Sequence, residues 1–236
     1  MSKINIVIPM AGKSQRFFDA GYTVPKALLP IGRTSMIHAV LWNLRYENAD
    51  YTIIINKNQI TKDQLCLLGV NVIEIDYVPS GPACSALLAR EYVNNDVPLI
   101  VTNCDQIIED LNMELFLSYC ETNNLDGCLG TFHSTSPKNS YVKVNEKNEI
   151  IELREKQVIS NTATNGFHYW KSGILFVKST EELIASGKTV NGEYYLSETF
   201  NNLIACGKKL MPFQFNLHYP IGTPEDYESY KALRNL

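Results

Sequence analysis

The sequence predicts an α/β fold with a mostly parallel central sheet and a small antiparallel insertion. Short apolar strands alternate with helical patterns up to about residue 125, and this rhythm requires crossover connections between parallel strands. After Gly127 the pattern changes to short strands joined by polar turns, which is typical of antiparallel pairing. Since no repeat, low-complexity tract or long linker interrupts the 236 residues, we expect one domain over residues 1–236.

In the first half, the expected strands are short runs rich in β-branched and other apolar residues, and residues 4–9 and 52–55 have the pattern of a strand buried on both faces. These runs cover residues 4–9, 52–55, 70–75 and 98–102. Helices are expected where apolar residues recur at helical spacing, over residues 36–44, 60–68, 83–92 and 115–120. Gly69 is expected to end the second of these helices.

The second half predicts a group of short strands followed by a group of helices. The strands are expected at residues 129–133, 141–144 and 150–154, and the helices at 181–185, 196–204 and 224–233. Between the two groups, Phe167, Tyr169 and Trp170 fit core positions of a further strand.

Composition and charge exclude several classes of protein. An apolar fraction of 45% suits a globular protein with a sizeable core rather than a disordered chain. The net charge of −4, without a cluster of Lys and Arg, predicts no nucleic-acid-binding face. No apolar run approaches the ~18 residues of a membrane span. The N-terminus reads as a first strand rather than a signal peptide, so we expect a cytoplasmic protein that does not bind membranes.

Cysteine and histidine spacing gives no sign of a metal centre. The six cysteines lie far apart in apolar stretches, so we expect buried free thiols rather than disulfides. They stand at positions 66, 84, 104, 120, 128 and 206. No pair forms Cys-x-x-Cys, and the four histidines show no ligand spacing.

Three loops follow predicted strands directly, at residues 10–26, 78–83 and 103–107. In an open α/β sheet the ligand crevice lies beyond the carboxyl ends of the strands. The chemistry of this protein is therefore expected in these three loops.

The first loop has features of a phosphate-binding loop. Its small residues allow a ligand to approach the backbone, and its amides can point at phosphate oxygens. The stretch consists of Ala11, Gly12, Lys13 and Ser14. Arg16 and Lys26 bracket it with two cations, as a triphosphate requires. The alternative is a polar connection with solvated cations, since the loop matches neither a Walker A pattern nor a Gly-x-Gly-x-x-Gly turn.

The second loop, Gly81-Pro82-Ala83, places small residues where the chain enters a helix. A flat ring could lie against such a surface, with backbone groups contacting its edge. A helix that simply begins with proline in its first turn explains Pro82 equally well.

The third loop carries Asp105, directly after an apolar strand. A carboxylate at the end of a central strand is a natural Mg²⁺ ligand beside phosphates. The alternative is an aspartate that caps a helix or stabilises a turn.

Together, and in this order, these segments resemble the signature of the sugar-phosphate nucleotidyltransferases, also called nucleoside-diphosphate-sugar pyrophosphorylases. The first half supplies a loop that ends in Arg16, the segment Pro25-Lys26-Ala27-Leu28-Leu29-Pro30, the loop Gly81-Pro82-Ala83, and Asp105. The second half supplies Glu155-Lys156, Asn165-Gly166-Phe167-His168-Tyr169, Gly192-Glu193-Tyr194-Tyr195 and Ile221-Gly222-Thr223-Pro224. The resemblance covers nearly the whole chain.

The resemblance implies a Rossmann-like three-layer sandwich with a nucleotide-binding half, residues 1–125, and an acceptor-binding half, residues 126–236. It implies Arg16, Lys26 and Asp105 as catalytic residues, with Mg²⁺ held by Asp105. Nucleotide-binding residues would be Ala11, Gly12, Lys13, Ser14, Gly81, Pro82 and Ala83. Acceptor-binding residues would be Lys156, Asn165, Gly166 and Glu193. From the residues alone, Glu155 and Lys156 could equally form a solvated surface ion pair.

The chain departs from the family pattern at three positions. Ser14 or its neighbour replaces the glycine in the middle of the first loop, and Gln157 stands where proline commonly follows Glu-Lys. Pro220 stands where the family often has its second metal-binding aspartate. We therefore expect a metal site with one carboxylate, and Asp226 is expected to serve the first turn of a helix instead.

The expected reaction is nucleotidyl transfer from an NTP, with a pyrimidine favoured, to a sugar 1-phosphate or another phosphorylated alcohol. The product would serve surface-polysaccharide assembly, and a homo-oligomer is left open. One rival is a glycosyltransferase of similar fold that uses a nucleotide-sugar. Its metal-dependent members usually carry Asp-x-Asp, which this chain lacks. The other rival is a nucleotide-binding module without catalysis.

Overall fold

Alternate residues of the first strand face two separate hydrophobic cores. In a computed structural model that describes residues 3–65 and 69–236, Ile6 and Ile8 belong to one core and Val7 to the other. Because side chains alternate across a strand, each face of the central sheet is covered by helices. The result is three layers, with the sheet in the middle.

The strands, as the structure has them, are β1 (Ile4–Met10), β2 (Pro30–Ile31), β3 (Thr34–Ser35), β4 (Ala49–Asn56), β5 (Val70–Ile75), β6 (Leu99–Val101), β7 (Gln106–Ile108), β8 (Gly127–His133), β9 (Ser140–Val144), β10 (Ile150–Arg154), β11 (Thr162–Trp170), β12 (Leu210–Gln214) and β13 (His218–Pro220). The central sheet has the order β10-β9-β11-β6-β1-β4-β5, and β8 and β12 extend it from β11. Two short pairs, β13 with β7 and β2 with β3, lie outside this sheet.

The helices are α1 (Gln15–Asp19), α2 (Met36–Asn43), α3 (Lys62–Leu65), α4 (Pro82–Leu87), α5 (Arg90–Val93), α6 (Met113–Thr122), α7 (Gly173–Ala185), α8 (Leu196–Ala205) and α9 (Pro224–Arg234), with a 3₁₀ turn at Lys26–Leu28. One face of the sheet carries α2, α6 and α9, and the other carries α4, α7 and α8. In the part of the chain that the structure describes, no helix has the length and apolar character needed to cross a membrane.

The predicted α/β class is confirmed, with a parallel core and an antiparallel part in the second half. β1 pairs in parallel with β4 and β6, and β4 pairs in parallel with β5. β11 then pairs antiparallel with β6, β8 and β9. The antiparallel strands therefore continue the central sheet.

Three predicted helices differ from the observed ones. The helix expected at 83–92 is broken into α4 and α5, with Leu88 and Ala89 between them. The helix expected at 181–185 begins earlier, at Gly173, where Ser172 accepts a hydrogen bond from the Leu175 amide and caps it. The helix expected at 60–68 is described only as α3, and residues 66–68 lie outside the described residues.

The five described cysteines are free thiols, as predicted. Cys104, Cys120 and Cys128 are buried, but Cys84 is half-buried and Cys206 is exposed. The expectation that all the cysteines would be buried is therefore wrong for these two. Cys206 is exposed because it follows the last turn of α8. Cys66 lies outside the described residues.

Candidate active site

Two cavities open beyond the carboxyl ends of β1 and β6, where the sequence predicts the site. The smaller cavity, about 220 Å³, is lined by Ala11, Gly12, Lys26, Gly81, Pro82 and Glu193, among others. The larger cavity, about 370 Å³, is lined by Arg16, Asp105, Asn165, Gly166, Thr223 and Asp226, among others. Pro82 lines both. A wider depression of about 740 Å³ beside α2 contains none of the predicted site residues.

Lys26 and Asp105 form an ion pair that joins the two cavities. The Lys26 ammonium donates a hydrogen bond to Oδ2 of Asp105, and both side chains are largely buried. Burial by itself lowers the pKa of Lys26, but the Asp105 carboxylate outweighs it and raises this pKa above its usual value. Lys26 is therefore a fixed positive charge at the point where the two cavities meet.

Ser14 holds the first loop in the backbone conformation that glycine prefers. Its φ of 54° lies in the left-handed region, which favours glycine. Ser14 therefore occupies the kind of backbone position at which the family pattern has a glycine. The Ser14 hydroxyl accepts a hydrogen bond from the Lys26 amide at 3.2 Å and so ties the loop to the 3₁₀ turn. On α1, Arg16 is exposed and faces the larger cavity, while Phe17 is buried against Tyr227 of α9.

The second loop is held against the segment before α8. Gly81 has a φ of 115°, and a Cβ atom there would lie 2.6 Å from the backbone nitrogen of Tyr194. The Tyr194 amide donates to the Ser80 carbonyl at 2.9 Å, and its carbonyl accepts from the Ala83 amide at 3.0 Å. Pro82 begins α4, as the alternative interpretation proposed. Only glycine fits at position 81, because both its φ and its surroundings exclude a side chain.

Glu155 and Lys156 do not form a solvated ion pair. Glu155 is only 8% exposed, and it accepts hydrogen bonds from the hydroxyls of Ser140 and Ser197. The Lys156 ammonium instead donates to the hydroxyl of Tyr195 and lies 4.5 Å from the centre of its ring. The surface-pair alternative is therefore wrong.

Tyr195 connects two residues that the sequence assigned to acceptor binding. Its hydroxyl accepts from Lys156 and donates to Oε2 of Glu193 at 2.8 Å. Lys156 adopts a φ of 55°, a strained backbone conformation for a residue with a side chain. Glu193 lines the smaller cavity together with Gly81. The hydrogen bonds from Lys156 through Tyr195 to Glu193 thus reach the smaller cavity. Tyr195 was not among the predicted site residues.

Asn165 and Gly166 lie at an irregularity in β11, whose pairing with β8 shifts register between Thr164 and His168. Gly166 has a φ of 81°, and a Cβ atom there would lie 2.1 Å from Nδ2 of Asn103. The side-chain oxygen of Asn165 accepts from the Phe167 amide at 3.1 Å. The bulge turns this polar pair into the larger cavity.

Two histidines that the sequence did not assign to the site also line the larger cavity. His168 is 5% exposed and stands on β11, and His218 stands on β13. Burial lowers the pKa of each imidazole to about 4, although Asp110 and Asp105 act in the opposite direction on His218. Both rings are therefore neutral at neutral pH. The available sequence signal for His168 was a histidine among the large aromatic residues Phe167, Tyr169 and Trp170.

The site lies in a chain that matches a known family over nearly its whole length. Residues 6–233 match the family model for nucleotidyl transferases. The chain belongs to the nucleotidyl transferase family. The predicted family and enzyme class are confirmed, while no curated protein sequence matches this nucleotidyltransferase.

Solved structures similar to this nucleotidyltransferase share its fold at low sequence identity. A nucleoside-diphosphate-sugar pyrophosphorylase from Vibrio cholerae RC9 has 23% identity and a TM-score of 0.81, with 95% of this chain and 98% of that chain covered. A UDP-glucose pyrophosphorylase complexed with UDP-glucose has 18% identity and a TM-score of 0.80, with 100% and 99% covered. An inositol-1-phosphate CTP transferase from T. maritima has 17% identity and a TM-score of 0.74, with 99% and 96% covered.

The side chains that could coordinate a metal in this nucleotidyltransferase suit an ion that arrives bound to substrate phosphates. In residues 3–65 and 69–236, no three His, Cys, Asp or Glu side chains come together to hold a metal. Pro220 is exposed and pairs with Gln106, and Asp226 accepts a hydrogen bond from the hydroxyl of Thr223, the cap of α9. The predicted first-turn position of Asp226 is confirmed, but the helix does not turn this residue away from the site, because Asp226 lines the larger cavity together with Asp105. Mg²⁺ commonly binds through one or two carboxylates plus substrate phosphates, and Asp105 fits as that carboxylate.

Proposed function

We propose that the protein transfers a nucleotidyl group from an NTP to a phosphorylated acceptor and releases pyrophosphate. The observation that carries this proposal is the Lys26–Asp105 pair at the meeting point of the two cavities. One cavity is lined by loops of small residues, and the other is lined mainly by polar side chains. Such a site can hold two substrates with their phosphates side by side at Lys26 and Asp105.

In the proposed reaction, an oxygen of the acceptor phosphate forms a bond to the α-phosphorus of the NTP. The bond from the α-phosphorus to the oxygen that bridges it to the β-phosphorus breaks, and pyrophosphate leaves with the electron pair. The attacking phosphate is already ionised, so no general base is needed. Such chemistry depends on positioning and on the neutralisation of charge.

The charged residues have distinct roles in this proposal. Arg16 neutralises the β- and γ-phosphates, and Lys26 stabilises the negative charge that develops at the α-phosphate. The ion pair keeps Lys26 protonated until the phosphates arrive. Asp105 would hold Mg²⁺, which supplies further neutralisation of phosphate charge when bound.

The nucleotide is proposed to bind in the smaller cavity against the first two loops, through backbone groups at Ala11, Gly12, Lys13, Ser14, Gly81, Pro82 and Ala83. Lys156 holds the phosphate of the acceptor. Glu193 stands at the wall of the smaller cavity, so it accepts hydrogen bonds from acceptor hydroxyls that reach out of the larger cavity towards the nucleotide. Asn165 and Gly166 contact the acceptor in the larger cavity. The division into a nucleotide-binding half, 1–125, and an acceptor-binding half, 126–236, belongs to the same proposal.

We further propose a pyrimidine NTP and a sugar 1-phosphate or similar phospho-alcohol as substrates. Two of the similar structures are named for UDP-glucose and for a transfer from CTP to inositol 1-phosphate, which supports both choices. A product of this kind would serve surface-polysaccharide assembly. The free thiols are typical of proteins in a reducing compartment, which supports a cytoplasmic location. Homo-oligomerisation stays a prediction that light scattering would test.

The test is a screen of the common NTPs against phosphorylated acceptors, with released pyrophosphate as the readout. The proposal expects pyrophosphate only when an NTP and a suitable acceptor are both present. A glycosyltransferase would instead consume a nucleotide-sugar without pyrophosphate, and a nucleotide-binding module would bind NTP without turnover. Either result would replace the proposal.

A further inference from the structure

The short helix that carries Arg16 ends in a turn that folds the chain back onto the helix. α1 has only five residues, and Gly21 follows it with a φ of 88°. The Gly21 amide donates to the Phe18 carbonyl at 3.0 Å, and the Tyr22 amide donates to the Phe17 carbonyl at 3.0 Å. This pair of bonds is a Schellman motif, in which the residue after the glycine commonly packs on the last turn of the helix. The ring of Tyr22 accordingly lies 5.3 Å from the ring of Phe17, measured between centres.

The C-terminal helix α9 contacts the same two rings. The ring of Tyr227 lies edge-on to both of them, 6.0 Å from Phe17 and 5.9 Å from Tyr22. Next to it, the Tyr22 hydroxyl donates to Oε1 of Glu228 at 2.8 Å. Phe17 and Tyr227 are each only 1% exposed, so this contact between three rings is part of the packed interior. α1 is therefore held to α9 by packing and by one hydrogen bond.

α9 is itself fixed to the rest of the protein. The Tyr227 hydroxyl donates to the Pro30 carbonyl at 2.6 Å, and Arg234 forms a salt bridge with Glu109, the residue after β7. The helix begins after Thr223, which lines the larger cavity. α9 thus supplies a rigid support for α1, of the kind that a precisely placed side chain requires.

The side chain of Arg16 has no such support of its own. Arg16 is exposed and faces the larger cavity. Within residues 3–65 and 69–236 its guanidinium forms no salt bridge. A long side chain of this kind has many rotamers, so the place of its charge depends on where the backbone of α1 is held. The adjacent Phe17 and the folded-back Tyr22 fix that backbone against α9.

Resting on the proposed function, we infer that Tyr22 is a positioning residue. By its hydrogen bond to Glu228 and its packing on Tyr227, it holds α1 so that Arg16 lies where the β- and γ-phosphates of the NTP bind. Tyr22 lines neither cavity, so it acts through Arg16 rather than on a substrate. The hydrogen bond adds to the packing because a hydroxyl that donates to a carboxylate forms a charge-assisted bond.

Three variants change this hydrogen bond in different ways. Tyr22→Phe removes the hydroxyl and keeps the ring, and Glu228→Ala removes the acceptor. In Glu228→Gln the amide oxygen can still accept from Tyr22, so this conservative variant keeps the contact without the charge. Tyr92→Phe, at an exposed tyrosine of α5 that lines neither cavity, is the matched control.

The first measurement is the NTP KM and kcat for pyrophosphate release at saturating acceptor. Tyr22→Phe and Glu228→Ala are each expected to raise the NTP KM by about threefold or more, with little change in kcat and no further rise when they are combined. Glu228→Gln and Tyr92→Phe are expected to change it little. Because the effect passes through Arg16, Tyr22→Phe should not raise the KM further in an Arg16→Ala background, whereas in a Lys26→Ala background it should act in full.

The second measurement separates the positioning of Arg16 from a general loosening of the site. Calorimetry compares the binding of non-hydrolysable analogues of the common NTPs with the binding of the matching nucleoside monophosphates, both with excess Mg²⁺. A monophosphate lacks the β- and γ-phosphates to which Arg16 is assigned. Tyr22→Phe is therefore expected to weaken the binding of the triphosphate by about threefold or more and to leave that of the monophosphate unchanged.

The outcomes distinguish this inference from the proposed function. An NTP KM that is unchanged in Tyr22→Phe, or that rises by the same factor with and without Arg16, overturns the inference alone. Equal losses of triphosphate and monophosphate binding also overturn it, because Tyr22 would then have a purely structural role. Absence of pyrophosphate with every NTP and every acceptor contradicts the proposed function, and the calorimetric comparison then still decides whether Tyr22 positions Arg16.

Discussion

A Cβ atom at Gly222 would lie 2.5 Å from Oδ2 of Asp105. The two segments are also joined through their backbones, because the Ile221 amide donates to the Asp105 carbonyl at 2.9 Å. The closing segment of the chain therefore packs directly on the carboxylate that we assign to the metal. The missing side chain at position 222 leaves the space that this carboxylate occupies.

Gly222→Ala is expected to displace the Asp105 carboxylate and to reduce kcat by about tenfold or more, because a misplaced reacting group is costly in catalysis. Gly222 has no positive φ, so the backbone accepts alanine. Steady-state kinetics and a thermal melt check this together. A fully active variant would show that the position of Asp105 does not limit turnover.

Asp105→Asn is expected to lose turnover by ~10²-fold or more while the protein stays folded, because the amide keeps the shape but loses the charge that holds the metal. Activity is measured at limiting Mg²⁺. Asp96→Asn, at an exposed aspartate that lines neither cavity, is the control. Near-normal activity of Asp105→Asn would remove this residue from the site.

Arg16→Ala and Lys26→Ala are expected to differ in kind. Arg16 is assigned to phosphates that it binds in the ground state and in the transition state alike, so its loss should mainly raise the NTP KM. Lys26 is assigned to the reacting phosphorus, so its loss should also lower kcat. Equal effects confined to KM, measured with varied NTP, would show that the assignment of Lys26 to the α-phosphate is wrong.

Tyr195→Phe is expected to raise the acceptor KM by roughly three- to tenfold, because it removes the hydroxyl that joins Lys156 to Glu193 and keeps the ring. The NTP KM and the thermal midpoint should change little. Tyr92→Phe, at an exposed tyrosine of α5, is the matched control. An unchanged acceptor KM would mean that this chain of contacts does not position Lys156.

Mg²⁺ is expected not to bind the free protein at millimolar concentrations, and to bind in the presence of a non-hydrolysable NTP. The protein supplies Asp105, whereas Pro220 cannot ligate through its side chain, so phosphates must complete the coordination. Calorimetric titration with and without the nucleotide measures this. Tight binding to the free protein that survives Asp105→Asn would place the metal at another cluster.

Much of the fold could be predicted from the sequence, because strands such as β1 and β4 contain apolar runs, at residues 6–8 and 53–55, whose burial on both faces leaves a local pattern. The beginning of α7 could not be predicted from the sequence. Its first residues after Gly173 are the apolar run 174–177, which fits a strand as well as a helix. The break between α4 and α5 was also missed, since it has no proline or glycine to mark it.

The predicted site residues that follow strands of the parallel core could be placed because the carboxyl ends of those strands meet at one edge. Lys26 and Asp105 are 79 positions apart and meet there. Tyr195 and His218 were missed because their places in the site depend on contacts between distant segments. Tyr195 reaches Lys156 across 39 positions, and His218 reaches Gln106 across 112.

The central claim, attack of an acceptor phosphate on the α-phosphorus of an NTP, is tested most directly with an acceptor whose phosphate oxygens carry ¹⁸O. Mass spectrometry of the products then follows the label. We predict that all of the label appears in a diphosphate that joins the nucleoside to the acceptor, and none in the released pyrophosphate. Free nucleoside monophosphate beside an unchanged labelled acceptor, or label in the pyrophosphate, would contradict it.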